Sequence, residues 1–130
     1  QLLFVCNFRR SLSNAGYIFF PKINWIGRSA EVQIFLDALY QDKIYGVELS
    51  ILAYFIALFK LNLKRLYMLV FINNLRMQRM LAEVGFVNNG ILKKHTFVNS
   101  QFLDMSLFQI ELEDPKHNPK LYKFFNYYKF

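Results

Sequence analysis

Residues 47–60, Val-Glu-Leu-Ser-Ile-Leu-Ala-Tyr-Phe-Ile-Ala-Leu-Phe-Lys, are apolar nearly all round. A helix of this kind has no face to offer water, so it must be enclosed on every side. A membrane is one possible enclosure, but spanning it takes about 20 apolar residues and this run is shorter. Its ends also suit a soluble helix: Glu48 stands at its start, and Lys60, Lys64 and Arg65 at and beyond its end, complementing the dipole. Strands supply the enclosure instead. Ahead of the helix, Val32, Ile34 and Leu36 alternate with Glu31 and Gln33, and Phe35 breaks the polar face. Behind it, residues 66–71 form a continuous apolar run of the kind found in buried parallel strands. Strand, enclosed helix and strand together predict an α/β fold with a mixed sheet.

The remaining elements fit that frame. Residues 2–8 and 16–20 read as two strands, the second ended by Pro21, and 22–29 as a loop. Asn73 and Asn74 open a second helix, either being a suitable N-cap. Met77, Met80, Leu81 and Val84 recur at i, i+3, i+4 and i+7 as one core-facing stripe, with Arg76, Gln78, Arg79 and Glu83 at polar positions. Gly85 ends the helix as a left-handed C-cap. A strand over 91–97, a turn at Asn99-Ser100 and a returning strand over 103–112 complete the order β-β-β-α-β-α-β-β. We take residues 1–113 as one domain and 114–130 as a C-terminal tail.

Composition narrows the classes of function. The net charge of +7 accompanies dispersed basic residues, with no dense basic arm and no nucleic-acid signature. It marks a solvated basic surface or a partner rich in negative charge. The single cysteine, Cys6, makes an internal disulfide impossible, and no Cys/His spacing resembles a metal site. No metal, membrane insertion or specific nucleic acid is expected, and the expected location is cytoplasmic. The chain starts at Gln1 and enters an apolar strand almost at once, which reads as the loss of an N-terminal piece.

Between the third strand and the enclosed helix lies Gln41-Asp42-Lys43-Ile44-Tyr45-Gly46-Val47-Glu48. A strand, a short polar turn and a helix direct free backbone N–H groups and a partial positive charge at an anion.

At this point the chain resembles the GNAT superfamily of acetyl-CoA-dependent N-acetyltransferases, over about residues 16–113. The segment from Phe35 to Glu48 is similar to the family's strand and pyrophosphate loop. Leu61 to Leu66, then Asn74, then Val84-Gly85-Phe86 is similar to its second half. Asn99-Ser100-Gln101-Phe102-Leu103-Asp104 is similar to a hairpin found in the branch that acetylates ribosomal-protein N-termini, amino sugars and related amines. The resemblance implies a splayed mixed sheet flanked by helices. It implies that the backbone around Phe35 and Leu36 pairs with the pantetheine arm. It further implies that Gln41, Asp42, Lys43, Ile44, Tyr45, Gly46 and Val47 hold the pyrophosphate, and that Asn74 contacts the cofactor. Ile44 and Asp42 depart from the family's glycines, and Leu81 stands where many members carry a tyrosine that protonates the thiolate.

Acetyl transfer to an amine needs a base, a polarised thioester carbonyl and room for the thiolate. Glu31, on the strand leading to the loop and opposite Val32 and Ile34, is the first candidate base; the simpler alternative is a surface glutamate. His95 and Asp104 are candidates for substrate contact, against an exposed histidine and a hairpin-stabilising carboxylate. The expected activity is transfer from acetyl-CoA to a primary amine: a protein N-terminus or an amino sugar, with a small polyamine also open, and a homodimer possible. The alternative is a catalytically degenerate CoA-binding or interaction protein.

Overall fold

The computed structural model of the chain describes residues 1–6, 16–37 and 45–122. Among them are strands β1 (Leu2–Cys6), β2 (Gly16–Phe20), β3 (Ile23–Asn24), β4 (Ser29–Glu31), β5 (Gln33–Leu36), β6 (Arg65–Phe71), β7 (Val87–Val98) and β8 (Gln101–Glu111), with helices α1 (Tyr45–Phe55) and α2 (Leu75–Val84). One sheet has the order β1-β2-β5 and the other β3-β4-β6-β8-β7. The β4–β6 pairing is parallel and the other described pairings are antiparallel. This is the expected α/β architecture with a mixed sheet flanked by helices.

The main difference from the sequence reading lies in the third strand. Residues 30–36 read as one continuous strand, yet the chain divides at Val32. Ser29–Glu31 pairs with β6, from Ser29↔Arg65 to Glu31↔Tyr67, and the Val32 N–H donates to the Tyr67 carbonyl at 2.9 Å. Beyond that rung, Gln33–Leu36 pairs with β2 and belongs to the other sheet. The loop expected over 22–29 contains β3, which pairs with β4.

Two residues in the left-handed conformation pin the closed end of this unit, Arg28 (φ 54) before β4 and Asn62 (φ 54) before β6. Asparagine tolerates that conformation, and here it terminates the helix. After α1, residues Ile56–Lys60 make a π-helical turn, and the Leu63 N–H returns to the Ala57 carbonyl at 2.8 Å. The Arg28 guanidinium donates to the Asn62 carbonyl at 2.9 Å and to its Oδ1 at 2.6 Å. The Arg28 carbonyl in turn accepts the N–H groups of Lys64 and Arg65 at 2.6 and 3.2 Å. Strands β4 and β6 therefore start side by side.

Helix α1 is enclosed on one side only: Leu49, Ser50, Ile51, Ala53 and Tyr54 are buried, but Leu52 and Phe55 are half-buried and Phe59, in the turn that follows, is exposed, so the enclosure on every side that the sequence calls for is not met among the described residues. The described helices are too short to cross a membrane. Both helices lie on one face of the sheets, over Ile18, Phe20, Ala30, Val32, Leu66, Met68 and Val70. Asn74 caps α2, its Oδ1 accepting the Met77 N–H at 3.2 Å, and Gly85 (φ 116) ends it. The segment read as a tail packs onto the domain as far as residue 122. Pro115 and Leu121 are buried. The Tyr54 hydroxyl donates to the Glu113 carbonyl at 2.6 Å and accepts its N–H at 3.0 Å.

Candidate active site

Parting β5 from β6 opens a wedge whose apex is the Val32–Tyr67 rung. Along a strand, N–H and C=O groups repeat their direction every two residues. The Val32 N–H points at β6, so Ile34 directs its N–H and C=O into the wedge. Phe35 points the other way: a Cβ at Gly16 on β2 would lie 2.2 Å from the Phe35 carbonyl oxygen. The backbone nearest the expected pantetheine path is thus that of Ile34, with Leu36 on the same side. The Phe35 side chain stays half exposed at the wedge.

A cleft of ≈ 700 Å³ occupies the mouth of the wedge. Its strand wall is Ile34, Phe35 and Leu36, its end is Gly46 and Val47, and its far wall is α2. The sequence places Tyr45 and Gly46 in the turn before the helix and starts the helix at Val47; all three form the first turn of α1. Backbone N–H groups of a first turn lack intrahelical partners, and the helix dipole favours an anion there. A Cβ on Gly46 would meet the Met80 sulfur at 2.7 Å and a Leu36 methyl at 3.4 Å, so glycine lets α1 and α2 approach at the end of the cleft. Gln41, Asp42, Lys43 and Ile44 lie outside the described residues.

Helix α2 contributes Asn74, Arg76, Met77, Arg79, Met80 and Glu83 to the far wall. Residues 76, 79, 80 and 83 share one helix face by spacing, so two guanidinium groups line a cleft whose end is a helix N-terminus. The sequence reading had set Arg76 and Arg79 aside as polar positions opposite the core. Their i, i+3 spacing was the available signal. Leu81, by contrast, is fully buried in the core and does not line the cleft.

Glu31 stands one residue before the apex. Ala30 and Val32 point into the core, so Glu31 occupies the opposite face of the sheet, beside its register partner Tyr67. Partial burial, and secondarily the Glu31 carboxylate, push the Tyr67 phenol above its ordinary range. His95 is exposed on β7, where the pairing with β8 is irregular between Leu92 and Thr96. Asp104 on β8 accepts the Lys94 N–H at 2.8 Å through Oδ1, and its carbonyl accepts the Ile72 N–H at 3.2 Å. None of Glu31, His95 and Asp104 lines the cleft. Among the described residues, no cluster of His, Cys, Asp and Glu is placed to hold a metal.

The comparisons with known proteins agree with this geometry. Residues 8–107 match the family model described as an acetyltransferase (GNAT) domain. The spermidine N(1)-acetyltransferase of Vibrio cholerae is 32% identical over 90 residues, covering 69% of this chain and 52% of that protein. The chain thus spans about half the length of the curated relatives it matches. A structure of a chimera of the V. cholerae spermidine N-acetyltransferase SpeG and hSSAT superposes with a TM-score of 0.80 at 29% identity, covering 85% of this chain and 66% of that one. A dodecameric structure of the V. cholerae enzyme gives 0.74 at 30% identity, covering 82% and 61%. The names of these relatives give spermidine, a polyamine, whereas the hairpin resemblance points first to a protein N-terminus or an amino sugar, with a small polyamine left open. With a matching domain over most of its length and a sheet that splays where acetyl-CoA is expected, the chain belongs to the GNAT acetyltransferase family.

Proposed function

We propose that this protein transfers an acetyl group from acetyl-CoA to a primary amine of a polyamine. The observation that carries the proposal is the wedge. A parallel strand pair stops at the Val32–Tyr67 rung, directs the Ile34 backbone into the gap, and opens on a cleft lined by Arg76 and Arg79. These residues fit the cofactor. The Ile34 N–H and C=O suit an amide-containing arm that adds itself like a strand. The two guanidinium groups and the start of α1 suit phosphates. Asn74 spends its amide oxygen on the Met77 N–H, so its amide nitrogen is the group it offers a ligand. Gln41, Asp42, Lys43 and Ile44, outside the described residues, are the ones the family resemblance assigns to the pyrophosphate.

When bound, acetyl-CoA supplies an activated acyl thioester. The Ile34 C=O would accept from an amide of the arm and its N–H would polarise the thioester carbonyl, while Glu31 would take the proton from the amine on the opposite face of the sheet; the C–S bond would break as the C–N bond forms, and the thiolate would leave as CoA. Holding both substrates at one apex supplies much of the remaining acceleration. The polyamine acceptor is supported by the names of the relatives and by the placement of Glu31, a carboxylate facing away from the cationic cleft.

The test has two stages. Calorimetry with CoA should show binding, and its absence at millimolar CoA would sink the proposal. Thiol release should then favour spermidine over an N-terminal peptide and glucosamine. Glu31→Gln should lower kcat by about 100-fold or more with CoA affinity unchanged, as loss of a general base does.

A further inference from the structure

We propose that Glu31, Tyr67, Gln109 and Asn89 form one acceptor subsite, a polar row that crosses the sheet at the apex of the wedge and holds an extended polyamine with its distal ammonium at Gln109 and Asn89. The inference rests on the reading of Glu31 as the base for a polyamine amine.

The row follows from register. Glu31 pairs with Tyr67 across β4 and β6, and Tyr67 with Gln109 across β6 and β8. The Asn89 amide nitrogen on β7 donates to the Gln109 side-chain oxygen. Their neighbours Ala30, Leu66, Met68, Phe108 and Ile110 are buried on the helix side. Alternation therefore puts Glu31, Tyr67 and Gln109 together on the opposite face. Four strands at neighbouring positions span roughly 14 Å, a length suited to an extended triamine.

The chemistry along the row is graded. At one end Glu31 brings a full negative charge to the apex, where an amine must lose a proton. At the other end the row offers amides, which suit an ammonium that keeps its proton. Lys22, whose carbonyl accepts the Glu31 N–H at 3.0 Å, lies on the outer side of Glu31, so a cationic chain is directed inward along the row. Arg65 is neutralised by Glu111 at 2.7 Å, one step away on the same face. On the other side of the row the half-buried pair Leu69 and Leu107 gives methylene groups an apolar track.

The experiment compares spermidine with butylamine, using both thiol release and calorimetry on the CoA-saturated protein. Gln109→Leu and Asn89→Leu should each cut the preference for spermidine over butylamine roughly tenfold, the scale of one hydrogen bond to a charged group. They should weaken spermidine binding by the same factor. Gln109→Glu should raise that preference, a gain that a misfolded variant does not produce. If the wild-type protein acetylates spermidine and none of the three variants moves the preference or the binding constant, the subsite is wrong while the proposed function stands. If spermidine binds with an affinity that depends on Gln109 and Asn89 but no amine is acetylated, the function is wrong while the subsite stands. Failure of spermidine to bind the wild-type protein overturns the subsite.

Discussion

The two ends of the unit formed by β4, β5, α1 and β6 are built on opposite terms. At the closed end every strand start is tied: Arg28 and Asn62 hold each other, and one carbonyl accepts two N–H groups. At the open end β5 leaves β6 after a single further rung, and the space between is lined by side chains from α2. The difference teaches that the wedge is a product of local tethering. The closed end fixes where the strands begin, and the helix start and Gly46 fix how near α2 can come. Truncating the arginines at the open end should therefore change ligand affinity and leave stability nearly unchanged, substitutions at the closed end should do the reverse, and Gly46, where the two helices meet, should affect both.

The largest expected effect is at Gly46. Gly46→Trp fills the end of the cleft and should lower CoA affinity by more than about 100-fold, about 2.8 kcal/mol. Calorimetry reads the affinity, and circular dichroism checks that the fold is retained. Retained affinity would show that the cleft is not the CoA site. Next, Arg76→Ala and Arg79→Ala should each lower CoA affinity about tenfold, the scale of a charge-assisted contact to phosphate. Their effect should shrink as salt is raised, and dephospho-CoA would show which of the two faces the 3′-phosphate.

On the stability side, Tyr54→Phe leaves the Glu113 N–H and C=O without their partner and should cost about 1–3 kcal/mol in a denaturant titration. The same tyrosine predicts an alkaline limit. Burial is the main cause that raises its phenol above the ordinary value, opposed by the hydrogen bond to the Glu113 backbone and reinforced by the charges of Glu113 and Asp114. The folded state thus holds its proton more tightly than the unfolded chain. The contribution is complete below about pH 10, the unfolded phenol value, and is lost as pH rises through the folded one. Tyr54→Phe should flatten that part of the stability profile. The smallest effect is at Arg28→Ala, about 1 kcal/mol of stability with CoA affinity unchanged. A change in CoA affinity there would show that the two ends are coupled.

Local devices were the most legible. Asn74 as a cap, Gly85 as a stop and the Asn99-Ser100 turn each depend on a few neighbouring residues, and each is present as read; of the core-facing stripe, Leu81 and Val84 are buried, while Met77 and Met80 are half-buried and line the cleft. The division at Val32 was not legible from the residues themselves. Val32, Ile34 and Leu36 continue one alternation through it, because both sheets present the same face to the same core. That two strands part there came only from the resemblance, and Ile34 rather than Phe35 is the residue whose backbone enters the gap. Arg76 and Arg79 were passed over because a charged position on an amphipathic helix ordinarily meets solvent. The polar row was unreadable for another reason. Its members lie 36, 42 and 20 residues apart in the chain (31 to 67, 67 to 109, 109 to 89), and only strand register brings them into line.

The division at Val32 also bears on how the molecule opens. A three-stranded and a five-stranded sheet share one core, but the rung at Val32 is the last backbone bond from the third strand to β6 among the described residues, so the small sheet can open more readily than the large one. A ligand lying in the gap would stitch them into one. Occupancy should then slow hydrogen exchange at the Ile34 amide, where the ligand lies, and also out to β1, two strands away, so that this sheet's rigidity would follow the cell's supply of CoA.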